Sequence, residues 1–166
     1  PRAERDYELL PGVAAVHCGV DRTIYVDQAW METYVLPAFG DAGVALILAH
    51  EVGHHIQDST GWIRQFDPED PDDMYVYETS ADCFAGAYLL STVSRHIYAS
   101  DEIAALDELM QFLGDPEEGM GHGTGDQRTD AFQRGYTEGV EAWACSRAEP
   151  GGLAPPPGRW AFPSLA

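Results

Sequence analysis

Two histidines, His50 and His54, stand four residues apart directly after an apolar run, residues 45–49. The run favours a helix, and helix geometry stacks side chains four residues apart on one face. Two imidazoles at that spacing can bind one Zn²⁺ ion at about 2.0–2.1 Å each. Glu51 lies beside the first histidine, close enough to handle a metal-bound water without binding the metal itself. The pattern predicts a metal-binding helix; the alternative is a buried helix that carries two histidines by coincidence.

A catalytic zinc site needs three protein ligands and an open position, so a third side chain must come from elsewhere in the chain. The best candidates are Glu78 and Asp82, which are four residues apart on a second predicted helix. Glu78 is the expected metal ligand. Asp82 is expected to accept a hydrogen bond from the second ring nitrogen of one of the two histidines. The alternative is that both acids are solvated on the outer face of an amphipathic helix.

His122 lies in a glycine-rich loop, residues 114–125, just before the last predicted helix. It is a candidate catalytic residue that donates a hydrogen bond to a developing oxyanion. The alternatives are a loop histidine without a role and a fourth metal ligand. Gln127 and Arg128, which begin the following helix, are expected either to contact substrate or to brace the loop.

The other histidines have weaker support. His55 falls about 100° around the helix from its neighbour, so it is expected to point away from the metal, towards the periphery of the site or solvent. His17 and His96 lack supporting neighbours in the sequence, and both are expected to be structural or surface residues.

The charge of the chain excludes one class of partner. The net charge is −19 at pH 7, and such a field repels phosphate backbones, so we expect no nucleic-acid binding. Five of the acidic residues lie in residues 65–74, a segment that two prolines interrupt. This segment lacks EF-hand spacing, and we interpret it as a solvated acidic loop rather than a calcium site.

The periodicity predicts an α+β fold that is predominantly helical, with few strands. β-branched and aromatic residues at 23–27 predict a short strand, whereas residues 1–20 look irregular apart from a turn at Pro11-Gly12. Asp27 is a suitable cap for the helix that follows, which Pro37 and Gly40 should end. The predicted helices span residues 27–36, 42–57, 75–98, 101–113 and 126–147.

We predict a single domain over residues 1–147 and a Pro/Gly-rich C-terminal tail over residues 148–166. The chain begins with Pro1 rather than Met, so we expect a processed or trimmed fragment from which any targeting segment has been removed. Unbroken apolar runs stay below the eighteen residues that span a bilayer.

The three cysteines include no CxxC pair, which makes a thiolate zinc site improbable. In an oxidising compartment one disulfide and one free thiol are the expected arrangement. Cys83 and Cys145 are the favoured partners because both should lie on helices that can pack together, which leaves Cys18 free.

Three segments resemble one family of proteins. Residues 50–57, HEVGHHIQ, resemble the HEVGHHVQ core of the bacterial neutral zinc metallopeptidases, the YpfJ-like group. Residues 78–86, ETSADCFAG, are similar to its E-x-x-A-D-C-x-A-G segment, and residues 122–128, HGTGDQR, to its H-G-S-x-x-Q-R. Residues 24–27 resemble the strand ahead of the family's zinc helix. The similarity covers roughly residues 16–146.

The resemblance implies a zincin-like metallopeptidase fold with a small sheet and an HExxH active-site helix. It implies Zn²⁺ bound by His50, His54 and Glu78, with Glu51 activating a water for hydrolysis of a peptide or protein substrate. The alternative is a zinc-binding but proteolytically inactive envelope protein that binds a partner. The resemblance also implies a bacterial protein that is secreted or associated with the cell envelope, with membrane anchoring through a segment absent from this chain.

Overall fold

Helices dominate the structure, a computed structural model that describes residues 14–139 and residue 145. The strands are β1 (Ala15–Cys18) and β2 (Thr23–Val26). The helices are α1 (Gln28–Trp30), α2 (Leu36–Ser59), α3 (Pro71–Ser94), α4 (Ser100–Ala104), α5 (Leu106–Leu113) and α6 (Gly125–Glu138). A π-helical turn, Met31–Val35, joins α1 to α2, and a short 3-10 helix, Trp62–Gln65, follows α2. The mainly helical character and the small sheet agree with the prediction.

The sheet is an antiparallel pair of β1 and β2, in which Ala15 lies opposite Val26 and His17 opposite Ile24. The prediction that residues 1–20 are irregular is therefore wrong for the four residues of β1. Four residues with a single β-branched side chain give little strand signal on their own. Pairing with β2 supplies the hydrogen bonds that make this segment a strand.

The start of the helical region follows the sequence closely. The Asp27 side chain accepts a hydrogen bond from the Trp30 backbone N–H at 2.8 Å, as predicted for a helix cap. The predicted end near residue 36 is wrong, because the π-helical turn continues into α2 and Pro37 lies in the first turn of α2, where a missing N–H is tolerated. The predicted break at Gly40 is confirmed, with φ 63° and ψ −163°.

Helix α3 begins four residues before the predicted start. Asp70 accepts a hydrogen bond from the Asp72 backbone N–H at 2.9 Å, and Pro71 suits the first helical position. Part of the predicted acidic loop, residues 65–74, is thus the first turn of a helix, where carboxylates favour the positive end of the helix dipole. The helix also ends earlier than predicted, at Ser94.

The predicted helix over 101–113 is two helices, α4 and α5, that meet at Ala105. Helix α6 ends at Glu138 rather than 147, because Gly139 takes a positive φ of 73°. Cys145 lies in a turn beyond it. The predicted tail, the domain boundary at 147 and the Pro11-Gly12 turn fall outside the described residues.

The hydrophobic core lies between α2, α3, α5 and α6. Helices α3 and α6 approach most closely at two glycines. A Cβ atom on Gly86 would overlap the carbonyl oxygen of Phe132, and a Cβ atom on Gly135 would overlap that of Cys83. The largest fully buried apolar side chains are Phe132, Leu46, Leu89, Ile103, Leu106, Leu109 and Met110.

A disulfide joins Cys83 in α3 to Cys145, with Cα atoms 5.2 Å apart, and Cys18 is free. This confirms the predicted pairing. The bond attaches the chain beyond α6 to the middle of α3, next to Asp82.

One helical stretch, Gln28–Ser59, meets the length and composition of a membrane span, with a mean hydropathy of 1.4 over 18 residues. No unbroken apolar run marks this stretch in the sequence, because polar residues interrupt it and only the mean hydropathy of the window is high. Many of its apolar side chains, among them Leu46 and Ile47, pack in the core. A buried core helix passes the same test.

Candidate metal centre

Three side chains from two facing helices converge on one point. The Nε2 atoms of His50 and His54 on α2 lie 3.0 Å apart. Glu78 Oε2 on α3 lies 3.2 Å from the first and 3.5 Å from the second. All three residues are buried. The helices can approach this closely because Gly53, between the histidines, faces the backbone of Ala81.

His50 is oriented by Asp82. Its Nδ1 lies 2.7 Å from Asp82 Oδ1, the contact that the sequence predicted for one of the two histidines. An ionised carboxylate only accepts hydrogen bonds, so Nδ1 carries the hydrogen. In the neutral imidazole, Nε2 then presents a lone pair towards the convergence point.

His54 is oriented in the same way by a residue that the sequence argument did not single out. Its Nδ1 lies 2.8 Å from Gln57 Oε1. The amide orientation is fixed because Gln57 Nε2 donates to the Tyr77 carbonyl at 2.8 Å and to the Ser80 hydroxyl at 2.5 Å. His54 therefore donates from Nδ1, and its Nε2 also presents a lone pair. The Tyr77 ring stacks on the His54 ring, with centroids 4.3 Å apart.

The cluster thus brings together two imidazole lone pairs and one carboxylate oxygen. Three electron-rich atoms repel each other unless a cation lies between them. Ligands at about 2.05 Å from a tetrahedral Zn²⁺ ion are about 3.3–3.4 Å apart. The observed separations of 3.0, 3.2 and 3.5 Å fit that geometry.

The same cluster attracts protons. Burial by itself lowers the pKa of His50, but the carboxylates of Asp82 and Glu78 outweigh it and raise that pKa to about 10. Burial likewise opposes ionisation of Glu78, yet the neighbouring His50 and His54 hold the pKa of Glu78 well below its usual range. A cation that binds here must displace a proton.

We therefore expect zinc affinity to rise with pH. Below a pKa of about 10 the metal-free cluster keeps a proton on His50, which must leave before Nε2 binds a cation. Each proton released makes the association constant about tenfold larger per pH unit. Competition with a chromophoric chelator at about pH 5.5, 7 and 8.5 measures the slope. An association constant independent of pH would contradict displacement of a proton.

Asp82 is itself held by Arg128 on α6. Arg128 Nη2 and Nε donate to the two Asp82 oxygens at 2.8 and 2.9 Å, and Nη1 donates to the Leu113 carbonyl at 2.9 Å. Burial opposes ionisation of Asp82, but Arg128 and then His50 keep the pKa of Asp82 below its ordinary value. Both roles predicted for Arg128 are compatible with this position, because it binds the Leu113 carbonyl beside the loop and also lines the cavity. Gln127 accepts from the Thr124 N–H at 2.9 Å and caps α6.

Replacing Arg128 with Met should destabilise the fold by about 3–5 kcal/mol, because it leaves a buried Asp82 carboxylate without its cation. Urea unfolding followed by circular dichroism measures the change. Arg95→Met is a matched control, since the exposed Arg95 contacts only its own helix end in the described structure, and it should stay within about 0.5 kcal/mol. Equal stabilities of the two variants would show that the buried pair contributes little.

Glu51 lies next to the three converging side chains without joining them. It is buried, and its Oε2 accepts a hydrogen bond from the His17 backbone N–H at 2.6 Å. Both residues line a cavity of about 380 Å³ together with the three converging side chains. The strand β1 thus forms one wall of the candidate site.

His17 makes structural contacts, which is one of the two outcomes expected for it. Its ring lies against His55, with centroids 5.2 Å apart and Nε2 3.2 Å from His55 Nδ1. Burial, followed by the neighbouring His55, lowers the pKa of His17. His55 points away from the convergence point, as predicted. His96 lies exposed at the end of α3 with a φ of 56°.

His122 lies at the rim of the cavity. Its Nε2 is 4.0 Å from Glu78 Oε1, and its side chain is 57% exposed. Asp115 accepts a hydrogen bond from the His122 backbone N–H at 2.8 Å and lies 3.6 Å from its Nδ1. Sequence reasoning missed Asp115, although its position at the start of the same loop was the available signal. The structure therefore brings His122 to the site but does not place it among the three converging side chains.

Two imidazoles from an HExxH helix and one glutamate from the next long helix define a candidate mononuclear zinc centre. Residues 12–147 match the family described as "Putative neutral zinc metallopeptidase", and the chain belongs to that family. It is similar to the "Uncharacterized protein YpfJ" of Escherichia coli K12, with 29% identity over 147 residues, 76% of this chain and 51% of that protein. The protein of the same name from Escherichia coli O6:H1 gives the same values.

The chain spans about half the length of the curated relatives it matches. No solved structure matches it.

Proposed function

We propose that this chain is a zincin-like metallopeptidase domain that hydrolyses peptide bonds in a peptide or protein substrate. The observation that carries the proposal is the convergence of two imidazole lone pairs and one carboxylate oxygen at separations that suit Zn²⁺. Family membership supports it independently. In this proposal His50, His54 and Glu78 hold the metal.

Zinc at that point would polarise the scissile carbonyl and lower the pKa of a water molecule towards neutrality. Glu51, beside the cluster in the same cavity, would act as the general base that accepts a proton from the attacking water and then as the acid that protonates the leaving amine. Asp82 and Gln57 keep the two imidazoles in the tautomer that leaves Nε2 free.

His122 is the proposed donor to the oxyanion that develops on the carbonyl oxygen of the scissile bond. Two observations support this assignment: the ring lines the cavity, and its Nε2 lies 4.0 Å from Glu78 Oε1, beside the three converging side chains. The exposure of the ring suits a group that meets substrate.

Metal analysis combined with cleavage of a broad peptide library tests the proposed function. We expect one zinc per chain and turnover that a chelator abolishes and added zinc restores. A protein loaded with zinc but inert towards the library would favour the alternative, a zinc-binding envelope protein that recognises a partner without cleaving it. Absence of stoichiometric zinc would contradict both.

We also propose that the protein is secreted or associated with the bacterial cell envelope, with anchoring through a segment outside this chain. The Cys83–Cys145 disulfide supports this location, because such bonds persist in oxidising compartments. Thiol alkylation and mass spectrometry of protein from its native cells should find Cys18 as the free thiol. Three alkylated cysteines would contradict the proposed location.

A further inference from the structure

The edge of β1 that does not pair with β2 faces the active-site helix. In an antiparallel pair, alternate residues direct their N–H and C=O groups towards the partner strand and the others direct them outwards. The main-chain groups of Ala14 point towards β2, since its carbonyl accepts a hydrogen bond from the Asp27 N–H at 2.9 Å. By the same alternation, the main-chain groups of His17 point away from β2. Its N–H donates to Glu51 Oε2 at 2.6 Å, across 34 residues of sequence.

The side chain of His17 fixes the strand on the same helix. Its ring packs edge to face on His55, and the facing nitrogens are 3.2 Å apart. His55 follows Glu51 by four residues, one helical turn, so both contacts of His17 fall on the same face of α2. The main chain and the ring of one residue therefore hold β1 at the position of the Glu51 carboxylate.

We propose that the main-chain N–H of His17 is a positioning group for Glu51. This inference rests on the proposed function. A hydrogen bond to an ionised carboxylate is short and directional, so it fixes the rotation of the carboxyl plane. With Oε2 held by the strand, Oε1 is the oxygen left to take the proton from water. A base fixed in this way reacts from one geometry, whereas an unheld carboxylate rotates among several.

A purely structural role for the contact makes a different prediction. If the hydrogen bond only docks β1, its loss should lower stability and leave turnover per folded molecule unchanged. If it positions Glu51, its loss should lower kcat while KM and zinc content change little, because neither the metal ligands nor the rest of the cavity is altered.

Replacing the Val16–His17 amide by an ester removes this N–H and keeps every side chain. Cys18 allows a synthetic segment of residues 1–17 to be ligated to residues 18–166, and the all-amide protein made in the same way is the reference. An ester also makes the Val16 carbonyl, which faces β2, a weaker hydrogen-bond acceptor. The matched control is an ester between Ala14 and Ala15, which weakens the inward-facing carbonyl of Ala14 and removes an N–H that does not meet Glu51.

We expect the ester at residue 17 to lower kcat on the order of 10- to 100-fold, the scale of one hydrogen bond to a charged group. The KM and the zinc content should stay within about twofold of the reference, and the ester at residue 15 should change kcat by less than about threefold. Equal kcat values for the two esters overturn the positioning role alone. A reference protein without chelator-sensitive turnover overturns the proposed function and this inference together.

Two point variants of His17, made by expression, give the same comparison if the ligated protein folds poorly. His17→Pro removes the N–H at an outward-facing edge position, where proline is tolerated in sheets, and His17→Ala keeps the N–H but removes the ring. The proline variant should lose clearly more kcat per bound zinc than the alanine variant. The opposite order would show that the ring contact with His55, rather than the N–H, supports turnover.

Discussion

Glu51→Gln should bind zinc as tightly as the parent protein and lose peptide hydrolysis by about 10²- to 10⁴-fold, the usual contribution of a general base. The amide has the shape of the carboxylate but cannot take a proton from water. Its carbonyl oxygen can still accept the N–H of His17, so β1 should stay docked. Glu51 is also not one of the three side chains that converge, which is why zinc should remain.

Elemental analysis and kcat/KM on the best peptide of the library measure the two effects of Glu51→Gln. Glu108→Gln is a suitable control, because it makes the same chemical change on the exposed surface of α5 and should leave both values unchanged. Turnover that survives in the Glu51 variant would rule out its role as base. Loss of zinc would instead place Glu51 among the ligands.

Glu78→Ala should lose most of its zinc, because one of three converging ligands is removed. Asp82→Asn is the variant for comparison, since Asp82 contacts His50 and Arg128 but is not one of the three converging side chains. Changes to a residue that contacts a metal-binding histidine weaken metal binding by roughly 10- to 100-fold. The Glu78 variant should exceed that loss. Competition with a chelator of known affinity measures both dissociation constants at one pH.

Full zinc occupancy in Glu78→Ala would remove Glu78 from the ligand set and leave two histidines without a third protein ligand. A loss equal to that of Asp82→Asn would indicate that Glu78 also acts through a histidine rather than on the metal. Either result would require another carboxylate or imidazole near the cavity. His122 and Glu51 are the candidates, since both line the cavity and His122 Nε2 lies 4.0 Å from Glu78 Oε1.

That His50 and His54 share one helix face, and Glu78 and Asp82 another, was predictable because helical periodicity acts over four residues and is visible in the sequence. The same reasoning made Asp82 a candidate partner for one of the two histidines, and the structure places it at His50. Whether two helices bring such faces together depends on packing, and the small residues Gly53 and Ala81 at the crossing were not recognised as its signal.

Other parts of the site were not predictable for physical reasons. The hydrogen bond from His17 to Glu51 uses a main-chain N–H, which every residue except proline has, so no side-chain pattern marks it. Gln57 and Asp115 act through side chains that are common on surfaces, and only the fold reveals their partners. The pairing of Arg128 with Asp82, across 46 residues, has no local signal in the sequence.

The helix boundaries show the same division between local and long-range information. Asp27 capped its helix as predicted because the cap involves neighbouring residues. The start of α3 was missed because acidic residues and proline were interpreted as a loop, although Asp70 and Pro71 are equally typical of a helix N-terminus. The strand β1 depended on a partner strand, and its own four residues gave little indication of it.

Gly86 on α3 and Gly135 on α6 each face backbone atoms of the opposite helix, which limits the residues that either position can accept. Gly86 lies one turn beyond Asp82, and Gly135 lies two turns beyond Arg128, so the glycines set the separation at which the guanidinium reaches its carboxylate. Any larger residue at either position would wedge the two helices apart. Substitution of either glycine would then weaken the candidate metal centre by misaligning His50, although neither glycine is one of the three converging residues.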